Sequence, residues 1–441
     1  MKITTIPRRL LLQWGSVSAL TAGFSVAGCK GPESSAPAQT TPAPTPAPVA
    51  NRYSQTNLAA SKASYKAQFT DPDLVDAWGV AIRPKGAGGH FWVGAGGTSF
   101  QYVGDVQASS NPALQKLFQD GLKKVNIPGA DSLTDDSSKG KVTGVVYNGP
   151  DLNSPNFRVT KQVAGSTRFD GSARFVFVTD SGKVTAWTER SQAGDVVRVD
   201  GPAALVYDGE ADGSAFFGVA INPDTWDTMW LADFGAHPKI VTLDKNWKKV
   251  VTTGFVNPFG SAKDGAVLPG DPVPFNIQVL GSRVFVTFAI SKQDPAKPGS
   301  FHSAEEDALD AAAEATSGNQ PDKGKLVEYD LAGKQIRIYN DAKRLNAPWG
   351  VAIAPANFGK LSGTLLVGNF GGAGRVCAFD TTTGDYIDDL RDTQGKPVAI
   401  GGLWALQFGN GESLGDSNAL YFAAGPEDEA DGLFGSLRYS A

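Results

Sequence analysis

The chain has 441 residues, of which 41% are hydrophobic and 19% are charged, and these proportions exclude a chain that is disordered throughout. Lys and Arg number 40 against 45 Asp and Glu, and this net charge of −5 argues against a surface built to follow nucleic-acid phosphates. Gly occurs 52 times without a Gly-X-Y period, which favours many turns between short strands. We therefore expect a globular body and no nucleic-acid partner.

The N-terminus has the order of an export signal. Basic residues at 2, 8 and 9 precede an apolar stretch over 10–26, which is shorter than the roughly 20 residues of a membrane span. The Arg8-Arg9 pair resembles a twin-arginine signal only weakly, because Pro7 precedes it and leucines follow it. Both the twin-arginine route and the general secretory route therefore stay open.

A Val-Ala-Gly-Cys sequence that ends at Cys29 resembles the bacterial lipobox, in which the cysteine is acylated and becomes the new N-terminus. We predict that residues 1–28 are a lipoprotein signal peptide and that Cys29 is the lipidation site. Lys30 follows the cysteine in place of Asp, as in lipoproteins sorted to the outer membrane of two-membrane bacteria. The expected location is the outer membrane, facing the periplasm or the cell surface, with the lipid as the membrane contact.

Residues 29–50 follow as a Pro, Ala, Ser and Thr-rich segment without hydrophobic periodicity, which predicts a tether. Residues 51–441 are predicted to form a single propeller domain. With Cys29 lipidated, Cys377 has no cysteine partner for an internal disulfide. It lies in an alternating strand pattern, where a free cysteine behaves as a small buried hydrophobe.

One short apolar sequence motif occurs six times along the chain. The copies begin at residues 78, 143, 217, 275, 349 and 404, so successive starts lie 55 to 74 residues apart. Common propeller repeats have roughly 40 to 50 residues, and loop insertions would explain the excess. A second apolar run follows each copy, and several copies continue into a third strand, such as Gly182–Trp187 and Gly324–Asp330.

These units predict blades of antiparallel strands. A blade cannot bury both of its faces alone, so six blades packed radially form a closed ring with short edges. The predicted fold is all-β, a six-bladed β-propeller, in preference to an array of β-sandwiches or a solenoid. Within the fourth blade, Ser303–Ala315 has an N-cap serine, early acidic residues and an Ala-rich body, which predicts a short helix in the insertion Ser291–Gly324. That insertion is either a decorative surface element or a functional lid.

Several of these motifs resemble a family of uncharacterised exported bacterial β-propeller proteins. The resemblance covers about Tyr53 to Leu437 and rests on the segments Asp71–Ala81, Pro274–Gln278, Asn346–Gly371 and Gly402–Gly435. It implies a six-bladed propeller of the broad class that includes NHL-repeat proteins and gluconolactonase-like enzymes, and it implies no established reaction. The lipoprotein start and the long insertion depart from the usual pattern of this family.

Ligands of propellers usually bind where loops converge at one end of the central channel. Asp180, Asp233 and Asn369 follow the second strand in three repeats, and Glu427 follows that of the sixth. Oxygen ligands that converge there would suit Ca²⁺ or another divalent cation, which in related six-bladed lactonases activates substrate and water. The alternative is that Asp and Asn only start turns and that the acidic loop around Glu427 is a solvated loop.

Aromatic side chains recur at the first position of the repeat, as Trp78, Trp349 and Trp404. They indicate packing between blades, with a stacking surface for sugar rings as the alternative. The three histidines show no metal-ligand spacing, and the Gly-rich runs lack the helix that a phosphate-binding loop needs.

Two functions follow from these features. The first is a lipid-anchored extracytoplasmic propeller that serves as a binding or scaffold module for an unknown ligand, protein or glycan partner. The second is a metal-dependent hydrolase of the lactonase kind with its site at the channel mouth. No complete catalytic motif is present in the sequence, so whether the chain is an enzyme stays open.

Overall fold

The computed structural model describes residues 49–128, 140–163, 166–192, 195–198, 202–293, 295, 301–302 and 323–441. These residues belong to one compact unit, Val49–Ala441. The predicted signal peptide, Cys29, nearly all of the tether and the predicted helix at Ser303–Ala315 lie outside them. Across the described ranges, no helix combines the length and the apolar character that a membrane crossing requires.

Most strands fall into six sheets. In chain order, β1 (Tyr53–Ala60) and β2 (Phe69–Thr70) come first, and they belong to the sheet of blade 6. Blade 1 consists of β3 (Ala77–Ala81), β4 (Phe91–Ala95), β5 (Thr98–Tyr102) and β6 (Lys124–Asn126), and blade 3 of β15 (Phe216–Ile221), β16 (Thr228–Asp233), β17 (Lys239–Asp244) and β18 (Lys249–Val250). Blade 2 consists of β7 (Val142–Tyr147), β10 (Phe175–Thr179), β11 (Lys183–Trp187) and β14 (Ala204–Asp208), and its connections contain the hairpins β8 (Arg158–Val163) with β9 (Ser166–Ser172) and β12 (Arg190–Gln192) with β13 (Asp195–Val197).

The second half of the chain repeats this plan. Blade 4 consists of β19 (Pro272–Leu280), β20 (Arg283–Ile290), β23 (Gly324–Tyr329) and β24 (Gln335–Ile338), with the hairpin β21 (Lys292–Gln293) and β22 (Phe301–His302) between its second and third strands. Blade 5 consists of β25 (Pro348–Ile353), β26 (Leu365–Asn369), β27 (Val376–Phe379) and β28 (Tyr386–Asp389). Blade 6 contains β29 (Leu403–Phe408), β30 (Ala419–Ala424) and β31 (Leu433–Tyr439). Short 3-10 helices occur at Ala63–Tyr65, Pro112–Gln115, Glu210–Asp212 and Gly359–Leu361.

The predicted six-bladed propeller is confirmed. Each copy of the repeated apolar motif overlaps the innermost strand of a blade, and each second apolar run overlaps the neighbouring strand of the same blade. The innermost strands contact one another in turn, and β29 of blade 6 contacts β3 of blade 1. The ring is closed by β1, which pairs antiparallel with β31 over Tyr53↔Tyr439 to Ala60↔Leu433, so the two ends of the unit share blade 6.

Glycines at the second position of the repeat let the inner strands approach one another. A Cβ atom on Gly350 would lie 2.4 Å from the carbonyl oxygen of Trp404, and one on Gly79 would lie 2.8 Å from the carbonyl oxygen of Thr143. Such distances are below van der Waals contact, so a larger residue would push neighbouring blades apart. Asn276 occupies this position in blade 4, and its Nδ2 donates to the carbonyl of Trp349 at 2.8 Å.

We expect Gly350→Ala to lower the free energy of unfolding by about 1 to 3 kcal/mol, because the added methyl group overpacks the contact between blades 5 and 6. Gly401→Ala is the control, since a Cβ atom there would meet no heavy atom within 4 Å. Chemical denaturation of both variants measures the difference. Equal stability of the two variants would contradict the close-approach explanation.

Candidate functional site

An aromatic plug closes one end of the central channel. It is built from the first residues of five repeats, Trp78, Phe217, Phe275, Trp349 and Trp404, together with two phenylalanines that follow second strands, Phe234 and Phe370. Trp404 stacks on Trp78 with ring centroids 3.6 Å apart and on Phe370 at 3.8 Å. Each aromatic pair of this kind contributes about 0.5 to 1.5 kcal/mol beyond the burial of its area.

The three tryptophans singled out from the sequence all lie in this plug. Trp78 and Trp404 are fully buried, and Trp349 is 5% exposed. The indole Nε1 of Trp349 donates to the carbonyl of Phe217 at 2.9 Å, which links blade 5 to blade 3. These side chains therefore pack against each other and against the blades, and Trp349 alone also faces the channel space described next.

Below the plug the channel opens as a funnel of about 310 Å³. Its wall comes from the later positions of five inner strands, and its lining includes Val80, Ile82, Val145, Tyr147, Val219, Ile221, Ile277, Val279 and Leu406. Trp349 and Asn276, at the first two positions of their repeats, also line it. The plug lies at the first position of the repeat and the funnel mouth at the ends of the inner strands, so the funnel is a blind recess. Aliphatic side chains alternate in its wall with polar side chains and backbone groups, and its surface is polar and apolar in about equal parts.

Polar side chains contribute to the wall as well. Gln278 accepts a hydrogen bond from the backbone N–H of Val351 at 3.2 Å through its Oε1, and Gln407 donates to the carbonyl of Phe408 at 2.9 Å. Trp226 lies at the mouth, where its indole ring occupies the space that a Cβ atom on Gly149 would need. A concave recess that combines apolar side chains with oriented polar groups can hold a small molecule.

Asp180, Asp233 and Asn369 have one role in common. Each side-chain oxygen accepts a hydrogen bond from a backbone N–H just before the inner strand of its own blade. The donors are Lys141 for Asp180, Ala215 for Asp233 at 3.0 Å and Asn346 for Asn369 at 3.1 Å. These three residues brace equivalent loops, as turn-forming residues do.

Asp233 is buried, and Asn369 lies beside a buried cysteine. Asp233 is 2% exposed, and this desolvation raises the pKa of its carboxyl group despite two backbone donors. Asn369 lies beside Cys377, with its Nδ2 3.8 Å from the sulfur. Cys377 is a free and buried thiol whose pKa is raised by desolvation, in keeping with the small-hydrophobe interpretation.

Glu427 begins a segment with unusual backbone geometry. Glu427, Asp428 and Glu429 have φ angles of 59°, 52° and 64°, three successive non-glycine residues in the left-handed region. The backbone N–H of Glu429 donates to the carbonyl of Gly425 at 3.1 Å, and this hydrogen bond holds the turn. A left-handed non-glycine residue costs of order 1 to 3 kcal/mol, so surrounding contacts must hold this segment in place.

Ion pairs at the plugged end supply such contacts. Lys141 Nζ contacts the carboxylate of Glu429 and lies 3.5 Å from Asp76 Oδ2. Asp76 itself accepts a hydrogen bond from Trp404 Nε1 at 3.1 Å, so the ion pairs adjoin the aromatic plug. Asp76 is 2% exposed, and burial raises the pKa of its carboxyl group to about 6 although Lys141 opposes the shift.

We expect Asp76 to make stability pH-dependent in a defined direction. Its ordinary pKa is 3.8, so between about pH 4 and pH 6 the unfolded chain has lost a proton that the folded chain retains. The free energy of unfolding therefore falls as pH rises through this window, and Asp76→Asn removes that part of the fall. Denaturant titrations from pH 4 to pH 7 measure the slope, with Asp151→Asn at an exposed site as the control. An identical slope in wild type and Asp76→Asn would contradict the assignment.

The sequence prediction of a cation site gains no geometric support. Among the residues that the structure describes, no three His, Cys, Asp or Glu side chains lie close enough together to hold one metal ion. Asp180 lies near enough to Asp76 to oppose its ionisation, while Asp233 and Asn369 brace other blades. The calcium site and the lactonase-type reaction therefore stay predictions.

Sequence reasoning missed the buried pair of Asp76 and Lys141 and did not identify the funnel. Asp76 and Lys141 each lie two positions before the first residue of a repeat, Trp78 and Thr143, and directly before strands β3 and β7. Extending the alignment of the six repeats two positions upstream would have shown these charges. The funnel had a signal too, because aliphatic residues recur at the third position of the repeat.

Comparison with known proteins finds relatives in a virus. No protein-family model matches the chain. An uncharacterised protein of Acanthamoeba polyphaga mimivirus is 28% identical over 383 residues, which cover 86% of this chain and 79% of the viral protein. A second uncharacterised protein of that virus is 29% identical over 214 residues, which cover 48% of this chain and 49% of the relative.

Solved structures with a similar fold include an outer coat vertex of COPII on membranes, with a TM-score of 0.38 and 11% identity over 78% of this chain and 66% of the coat chain. The Dos1 propeller has a TM-score of 0.34 and 11% identity over 84% of this chain and 69% of its own. These similarities carry no conclusion about this chain, whose six-bladed propeller follows from its own strand pairing and from the contacts between its inner strands. The resemblance to exported bacterial, NHL-repeat and gluconolactonase-like proteins stays a prediction.

Proposed function

We propose that this protein is an extracytoplasmic binding module, anchored through a lipid on Cys29, that takes its ligand into the funnel of the propeller. The observation that carries the proposal is the blind recess of about 310 Å³ at the channel mouth, with aliphatic side chains and polar groups in its wall. Ligand sites are concave and few per protein, and a volume of this order lies at the lower end of their range. The propeller fold supports a binding or scaffold module without fixing it, because one fold can host several functions.

The aromatic plug supports binding in preference to passage through the channel. Since Trp78 and Trp404 are fully buried and stacked, a ligand that enters the funnel meets a closed floor. Burying the ligand against fixed aliphatic side chains of rigid inner strands needs little reorganisation, which favours affinity. The recess is therefore suited to hold a small molecule, or a side chain presented by a protein partner.

We expect a bulky residue in the wall to block the funnel. Val80 is half-buried and lines the recess, so Val80→Trp fills part of it. Saturable binding of the neutral fluorophore Nile red is the measurement, and Val80→Trp should weaken it severalfold. Val256→Trp is the matched control, because Val256 lies on the surface, is 73% exposed and is not part of the funnel wall.

Melting temperatures of the two tryptophan variants show whether each folds. Val80→Trp that folds and still binds Nile red as the wild type does would refute the funnel as the binding site. Loss of binding in both variants would point to an unspecific effect of tryptophan and would equally contradict the assignment.

The lipid anchor rests on the lipobox-like sequence and the Pro-rich tether. We expect Cys29→Ala, expressed from the full chain in a two-membrane bacterium, to leave the membrane fraction and to appear in the soluble periplasmic fraction. Cys377→Ala is the control, since that thiol is buried in blade 5 and has no lipid-accessible surface. Membrane association of both variants to the same degree would exclude the anchor.

A further inference from the structure

Three arginines surround one buried carboxylate beside the funnel mouth. Glu189, just beyond β11, is 6% exposed at its side chain, and its Oε1 accepts a hydrogen bond from Arg83 Nη2 at 2.8 Å. Arg174 Nε lies 3.5 Å from Glu189 Oε2, and Arg198 Nε lies 3.6 Å from Glu189 Oε1. We call these four residues the arginine cluster.

The arginine cluster carries more positive than negative charge. Three guanidinium groups face one carboxylate, and among the described residues Asp120, hydrogen-bonded to His90 at 2.8 Å, is a second acid that interacts with Arg198. His90 adds no charge near neutral pH, because burial and the nearby arginines lower its pKa. The surplus is therefore one positive charge in a chain whose net charge is −5.

The surplus is also partly desolvated. The side chains of Arg83 and Arg174 are each 12% exposed. Within the described residues the buried Nε–H of Arg83 makes no hydrogen bond, and that of Arg174 has the 3.5 Å ion-pair contact with Glu189 without a hydrogen bond. Buried donors without an acceptor are rare in folded proteins, and each one raises the question of what ligand satisfies it. An arginine pair in a low-dielectric position binds a carboxylate more strongly than a solvent-exposed pair does.

Short contacts connect the arginine cluster to the funnel. Arg83 directly follows Ile82 of the funnel wall, and its guanidinium lies over the ring of Phe175, 5.9 Å from the centroid. That ring in turn contacts Tyr147 of the funnel wall, with centroids 5.6 Å apart. The backbone of Arg174 lies beside the end of the same inner strand, because its carbonyl accepts from the N–H of Asn148, next to Tyr147.

We propose that the ligand of the funnel is an anionic amphiphile, with an apolar body in the aliphatic recess and a carboxylate head on the arginine cluster. This inference rests on the proposed binding function and adds the chemical class of the ligand. Glu189 already shows that the cluster accepts a carboxylate, and the three guanidinium groups exceed what one carboxylate neutralises. The apolar body gains binding free energy from contact with the funnel wall, whereas the carboxylate head gains it only from the arginines.

Calorimetric titration with decanoate and decanamide tests this proposal, since the two probes share a chain and differ in head charge. We expect decanoate to bind the wild type at least about tenfold more tightly, equal to about 1.4 kcal/mol. The double variant Arg83→Gln/Arg174→Gln should reduce this ratio towards one while decanamide binding stays unchanged. Arg52→Gln, at an exposed arginine of blade 6, is the control and should keep the ratio.

A second variant keeps the test independent of the stability of the double variant. Glu189→Gln removes the resident carboxylate that competes for the arginines, so it should tighten decanoate binding severalfold and leave decanamide binding unchanged. The ratio of the two affinities should also fall as salt rises, because exposed parts of the pair are screened.

Each remaining outcome overturns a different statement. Equal affinity for the two probes in wild type, unchanged in Glu189→Gln, would refute the anionic head and leave the funnel intact. Acetate that binds as tightly as decanoate would refute the amphiphile, since the head alone would then suffice. Failure of both ten-carbon probes to bind would contradict the proposed function itself.

Discussion

Packing of aromatic rings around Trp404 is the contact on which the rest of the molecule depends. Its ring stacks on Trp78 and on Phe370, and it meets Phe275 and Trp349 at centroid distances of 5.8 and 6.1 Å. These partners come from blades 1, 4 and 5, so one side chain of blade 6 contacts half of the ring. Removal of a buried aromatic side chain of this kind typically costs about 3 to 5 kcal/mol, because the cavity collapses only in part.

Closure of the ring of blades and packing of the aromatic plug depend on each other. Inner strands approach closely only because the second repeat position is glycine in four blades, and close approach brings the first-position aromatics together on the axis. Strand β1, from the start of the unit, completes blade 6 and holds the last blade beside the first. The plugged channel then leaves space at one end only, and this is why the propeller has a blind funnel rather than an open pore.

Charge is divided between the two ends of the channel. At the plugged end Lys141 is held by Glu429 and Asp76, and the latter also accepts the indole N–H of Trp404, so these charges serve the packing of three blades. At the open end the guanidinium of Arg83 and its neighbours exceed the charge of Glu189. Charges that hold blades together beside the plug have a structural role, whereas surplus positive charge beside the recess favours a ligand.

The number of blades and the place of every inner strand were determined by the sequence, because hydrophobic runs and turn residues act over a few neighbouring positions and recur with the repeat. The repeat also identified Asp233 and Asn369 as equivalent loop residues and as candidate turn formers, although it did not show which backbone groups they bind. Only the tertiary structure decided which distant charges meet. Arg83 and Glu189 are 106 residues apart, and they come together because the radial packing of successive blades sets blade 1 against blade 2, a contact that no local pattern encodes.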